Sequence, residues 1–333
     1  MRIKSKIWGV LLLSMVIFAC SENRLKVDVS NIEVDINYYD IDAKMFNKTV
    51  NEVDSTHYTL DKQLTDLYFL ELNFNLRQIL QKNVRLDTLA GMSIHHFYSQ
   101  DFISDIEEEK KRFFNQETLK EEINTGFKYF KYHFKEEKTP VEILWMNNLF
   151  ANVHSSDSAM TIGLEYYLGP ENEIIQKIPS DQLYTWQRKF MKDKYIARDV
   201  IQSWIQANLF APPSGNLVES IIHAGKVLYT VNACFPEDKP TTILKYTEDE
   251  FKYVQENEGK FWRYLVDQNL LFVDNERDKA NFLNEGPYTV GLPEDSPDRM
   301  GQFLGWQMVK SFMEQNENVT LLELIELDYK KIL

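Results

Sequence analysis

The N-terminal stretch MRIKSKIWGVLLLSMVIFAC constrains this chain more than any other, because it decides where the fold forms and which covalent bonds can support it. Arg2, Lys4 and Lys6 precede an apolar run from Ile7 to Ala19, which stops at Cys20. That run is shorter than the roughly 20 apolar residues a helix needs to cross a bilayer, so residues 1–19 are expected to be a signal peptide. Ile17, Phe18, Ala19 and Cys20 form a lipobox. The small Ala19 admits the signal peptidase, and the Cys20 thiol becomes the acylation point. Acyl chains contribute about 0.8 kcal/mol per buried methylene, so the expected membrane attachment rests on the lipid.

Cys234 is then left without a partner, and no intramolecular disulfide is expected. Its neighbours Val231 and Phe235 suit a buried, inert thiol. The chain must therefore fold on its apolar core, and with 44% hydrophobic and 13% aromatic residues it has the material for one. Loss of the three basic residues of the signal peptide takes the formal charge from -14 to about -17. Such acidity argues against nucleic acid as a partner and against a basic patch gripping anionic lipid.

After the signal peptide, residues 20–30 are polar and are expected to be a short tether, followed by a single domain over 31–333 with sub-lobes divisible near residue 138. Alternation in NIEVDINYY from Asn31 predicts a half-buried strand. Residues 61–82 and 97–135 carry helical spacing. TPVEILWMNNLF and AMTIGLEYYLGP predict an antiparallel strand pair around a loop. Beyond Pro179 everything reads as helix. A long amphipathic region ends at APPSG, a helix follows from about Asn216 to Cys234, and TEDE opens another with Thr247 and Glu250 as a capping box. The last long helix is expected to start with Ser296 as N-cap, Pro297 at its first position and Asp298 near its positive end. The expected class is α+β, predominantly helical, with a small antiparallel sheet packed on a helical bundle.

Glycine is scarce, 12 of 333, so Gly301 and Gly305, four apart on the last helix, point to close approach by another backbone. With Asp298, Arg299 and Trp306 they mark a packing or binding helix. The histidines offer little for a metal. His95 and His96 are adjacent and would diverge on either a helix or a strand. No nucleophile elbow, dinucleotide fingerprint or P-loop occurs, and no cofactor is expected.

LVESIIHAGKVLY is the one stretch with a catalytic outline. A zinc-peptidase helix needs two imidazoles four apart and a carboxylate beside the first. With His223 in the first place, Ala224 stands where the base should be and Val227 where the second ligand should be. Glu219, four residues earlier, adds one oxygen on the same face, too few for a firm site. Neither a catalytic nor a metal-binding residue is assigned.

IEVDINYYDIDAKMF, AMTIGLEYYLG, HAGKVLYTVNACFP, KYTEDEFKYVQENEGKFWRYLVDQNLLF and SPDRMGQFLGWQMVKSFMEQ together resemble the gliding motility lipoprotein GldB family of Bacteroidota. The resemblance implies an envelope lipoprotein, facing the periplasm, that serves gliding and the type IX secretion tied to it, with envelope proteins of that machinery as partners. The same order of elements is distantly similar to gluzincin-like zinc peptidases, with only His223 matching their motif. The expected function is therefore a non-enzymatic module acting through protein contacts, with an edge strand around Met160 to Leu168 as a docking rim. The alternatives are a zinc metallohydrolase using His223 and Glu219, and a solute-binding lipoprotein.

Overall fold

A computed structural model describes residues 23–52, 92 and 94–333. Among these, in chain order, are β1 (Asn37–Asp40), α1 (Ile41–Met45), α2 (Asp101–Phe113), α3 (Gln116–His133), β2 (Glu142–Trp145), β3 (Val153–Ser155) and β4 (Ala159–Ile162). Then come α4 (Glu173–Lys177), α5 (Thr185–Arg188), α6 (Ile196–Asn208), α7 (Leu217–Cys234), α8 (Pro240–Ile243), α9 (Glu248–Asp267), α10 (Glu276–Leu283), α11 (Met300–Gln315) and α12 (Leu321–Glu326). The class is α+β and predominantly helical, as the sequence predicts. The helix expected over 61–82 lies outside the described residues.

The sheet is mixed and not antiparallel, in the order β1-β2-β4-β3. β2 runs parallel to both β1 and β4, with Glu142 opposite Asn37 on one side and Ala159 on the other. The expected antiparallel pairing of VEILW with AMTIG is thus corrected. Val153–Ser155, from within the presumed loop, supplies the antiparallel partner of β4, and the chain returns beside β2 in the same direction. Every residue of β4 is buried, the pattern of a strand covered on both faces. β4 is therefore an interior strand and no docking rim. Residues 31–36 keep their alternation of exposure without joining the ladder, and Val34 and Ile36 pack on the core.

The helical half follows from its caps. Asn216 Oδ1 accepts from Glu219 N at 3.1 Å, while Leu217 N and Val218 N donate to Val273 O and Leu271 O, so the first turn of α7 has partners. Thr247 and Glu250 form the reciprocal capping box of α9. The start of α11 departs from expectation. Arg299 precedes it with φ 54°, Ser296 is buried three residues earlier, and Met300 N donates to Thr289 Oγ1 at 3.3 Å. Ser296 does not cap this helix, because Asp298 and Arg299 turn inward to a buried charge cluster.

One apolar cluster extends from Leu25 to Ile332, with Trp145, Tyr167, Phe127 and Trp204 fully buried within it. α7 crosses α11 at its centre. A Cβ on Gly225 would lie 2.1 Å from Gly305 O, and one on Gly301 would lie 2.8 Å from Phe282 O, so both helices need bare backbone at these points. Cys234 ends α7 fully buried, and burial pushes its thiol pKa up.

The segment expected to be a free tether is docked from its first described residue. Asn23 Nδ2 donates to Pro236 O at 2.9 Å, and Arg24 Nη1 to Met313 O at 2.7 Å. Leu25 is 7% exposed and joins the main core. Its polar composition hides this, because Asn23 and Arg24 bind main-chain carbonyls from distant parts of the sequence. No described helix is long and apolar enough to cross a membrane.

Candidate functional site

His223 projects from the first half of α7 into a cleft of about 330 Å³ shared with Glu219, Lys226 and residues 211–214. Its Nε2 lies 3.1 Å from Ala211 O. A carbonyl only accepts, so this contact makes Nε2 the protonated nitrogen and commits it to the main chain. The Phe210 ring stands edge-on to the imidazole at 5.3 Å. Burial lowers the His223 pKa, with the Ala211 hydrogen bond opposing it.

Glu219 folds back over Gly215, where a Cβ would lie 1.9 Å from its Oε2. Lys226 Nζ donates to Ile325 O at 3.2 Å and to Leu327 O, covering carbonyls at the end of α12. Ala224 is half-buried, and Val227, 2% exposed, belongs to the core. The two positions that would complete a hydrolytic zinc site thus carry a methyl and an enclosed isopropyl group. Among the described residues no group of three or more His, Cys, Asp or Glu is arranged to hold a metal ion. His95 and His96 make their contacts locally, with Ser99 and Gln100 one turn on.

A second locus, which sequence reasoning missed, gathers buried charge around Asp199. Arg198 Nη1 donates to Asp199 Oδ1 at 2.7 Å, and Lys245 Nζ and Tyr167 OH donate to its Oδ2 at 2.9 and 3.0 Å. Burial raises the pKa of Asp199, but Lys245 and Arg198 outweigh it and hold the carboxyl below its usual range. Burial lowers the pKa of Lys245 against the pull of Asp199. Arg299 sits between the Phe190 and Tyr246 rings, at 4.7 and 5.2 Å, and pairs through Nε with Asp298 at 3.2 Å. Lys245 and Arg299 both have φ 54°, the left-handed region that costs a side chain energy, so surrounding contacts hold them there.

Outside this cluster opens a cavity of about 130 Å³, walled by Lys189, Lys192, Lys194 and Lys245 with Glu248 and Glu250. Lys245 is paired with Asp199 at 2.9 Å and Lys189 with Glu250 at 2.8 Å, so Lys192 and Lys194 are the cations that face the opening beside Glu248, in a chain whose net charge is -14. The arrangement favours an anionic group at its mouth. The local run RKFMKDK, residues 188–194, was the available signal. Lys245 reaches the same place from another segment.

A third cluster joins α1, α2 and the loop after β2. Asp42 Oδ1 accepts from Tyr98 OH at 2.7 Å and Asn147 N at 2.9 Å, and Lys110 pairs with both Asp42 and Glu107. Glu165 Oε1 accepts from Asn148 N and Phe150 N at 2.8 and 3.1 Å. Burial pushes the Glu165 pKa up to about 7, offset in part by Lys110. Burial and the Asp42 charge raise Glu107 as well. The Lys110 ammonium stands among these carboxyls where a cation is needed, so the cluster braces the fold.

Of the residues marked on the last helix, Gly301 and Gly305 serve helix crossings, and Asp298 and Arg299 enter the buried charge cluster. Trp306 is 3% exposed, its indole nitrogen lacks a hydrogen-bond partner, and Lys310 Nζ lies 5.3 Å from its ring. No curated protein and no solved structure matches the chain. The family model for gliding motility protein GldB matches residues 22–333 and so takes in every element and cluster described above. The chain therefore belongs to the gliding motility protein GldB family, which implies a role in gliding motility and a membrane-anchored place in the cell envelope.

Proposed function

We propose that this protein is a non-enzymatic lipoprotein, anchored through Cys20 on the periplasmic side of a membrane, that supports gliding and type IX secretion by binding an envelope protein of that machinery. The observation that carries the reading is the His223 side chain. Its Nε2 is committed to Ala211 O, and the positions beside it hold Ala224 and the core residue Val227. At these two positions a methyl and an isopropyl group can neither take a proton from water nor bind a metal, which supports a binding role for the cleft. The contact surface is the lysine-walled opening, where Lys192 and Lys194 suit an acidic segment of the partner.

The test is complementation of a deletion strain. The deletion is expected to abolish colony spreading and export of type IX cargo, and both the parent chain and His223→Ala are expected to restore them. Normal spreading of the deletion strain refutes the reading.

Placement of His223 and Glu219 in one cleft favours a second reading, a metallohydrolase that recruits a further ligand. Stoichiometric zinc in purified protein, lost on His223→Ala, would establish it.

A further inference from the structure

The docked N-terminal segment fixes which face of the fold meets the membrane. Only Ser21 and Glu22 separate Cys20 from Asn23. Successive Cα atoms are 3.8 Å apart, so the Cys20 Cα lies at most about 11 Å from that of Asn23. Asn23 is not free to drift, because its side chain is bonded to Pro236 O, and Arg24 is bonded to Met313 O and Val319 O. Acyl chains on Cys20 must lie in the hydrocarbon layer, which places the Cys20 backbone among headgroups whose layer is roughly 5–8 Å thick. A flexible tether would let the fold tumble at a distance, but here little free chain remains.

We infer that the surface formed by Asn23, Arg24, Glu237, Lys310 and Glu317 rests on the phospholipid headgroups, so that the protein sits flush on the bilayer. The inference rests on acylation of Cys20, part of the function proposed above. Beside the clamp is a hollow of about 1000 Å³ whose walls include Arg24, Tyr229, Trp306 and Lys310 together with Asp238, Glu314 and Glu317. The Trp306 and Tyr229 rings are buried beneath the hollow, while Arg24 and Lys310 reach its opening as long cationic side chains of the kind that settle at a membrane interface. Both signs of charge line the hollow, which suits zwitterionic headgroups: phosphate toward Arg24 and Lys310, ammonium toward the carboxylates. α7 leads away from this place. Its Cys234 end lies two residues from Pro236, and its Leu217 end is about 26 Å along the helix axis at 1.5 Å per residue.

The test uses the full acylated chain in phosphatidylethanolamine vesicles containing headgroup-labelled nitroxide lipid. A fluorophore is placed in turn on Glu237→Cys, Glu317→Cys and Ser214→Cys, three exposed positions, while the buried Cys234 stays unlabelled. Quenching at the first two positions is expected to exceed that at Ser214→Cys several-fold. A long glycine-serine insertion between Glu22 and Asn23 is expected to bring them down to the same level, with the protein still floating with the vesicles. Equal quenching at all three positions, or an insertion without effect in floating protein, overturns the flush placement alone. A parent chain that does not float refutes the anchor, and the placement falls with it.

Discussion

Gly225 and Gly305 meet where α7 crosses α11, so closely that a Cβ on Gly305 would lie 1.9 Å from Ile221 O. The obstacle is main chain, which cannot rotate away as a side chain would. Gly305→Ala is therefore expected to destabilise the protein by about 3 kcal/mol, the upper range for overpacking, in spite of alanine's better helix propensity. Gly259 is the control. Nothing lies within 4 Å of a Cβ built there, so Gly259→Ala on α9 is expected to stabilise by about 0.5–1 kcal/mol. Denaturant unfolding of both variants beside the parent chain measures the pair.

The fully buried Glu165 predicts a pH dependence. Its folded pKa, about 7, is raised above the ordinary 4.5 by burial. Between these values the folded chain holds a proton that the unfolded chain has released, so stability falls as pH rises through this window. Glu165→Gln removes that slope. Relative to the parent, the variant is expected to gain on the order of 1–3 kcal/mol between pH 4.5 and 7.5, read from denaturant midpoints at each pH.

His133 predicts the opposite slope. Burial lowers its pKa from 6.5 to about 4, against a hydrogen bond to the Ala233 carbonyl that favours the charged form. Below pH 6.5 the unfolded chain takes up a proton that the folded chain refuses, so this residue costs stability as pH falls from 6.5 toward 4. His133→Gln is expected to lose less stability than the parent over that interval, by about 1–3 kcal/mol.

Lys192 and Lys194 test the contact surface. Lys194 is exposed and Lys192 half-exposed, so Lys192→Glu combined with Lys194→Glu is expected to shift unfolding by no more than about 1 kcal/mol. The same pair is expected to abolish spreading in the complemented deletion strain. Full spreading with normal protein levels would remove the lysine-walled opening from the mechanism.

Legibility in the sequence depended on whether a signal was local. The α7 boundaries, with Asn216 before and Phe235 after, and the Thr247–Glu250 box are near-neighbour features, and the sequence carries both. The sheet was misread because the three-residue β3 lies hidden in the polar run between VEILW and AMTIG, and this extra strand turns the expected antiparallel pair into a parallel one. Ser296 has the residue type of a cap, but a side chain at Thr289 took that part. The lysine-walled opening was half visible in RKFMKDK, whereas the Asp42–Lys110 brace assembles α1 with α2 and left no local trace.

The grip of Arg24 on Met313 O and Val319 O closes a loop of nearly three hundred residues. The entropy lost on closing a loop grows only with the logarithm of its length, so these two bonds form at modest cost once the end of α11 is in place. Arg24 thus acts as a late clasp: it holds the amino segment against the carboxyl-terminal helices without having to guide their folding.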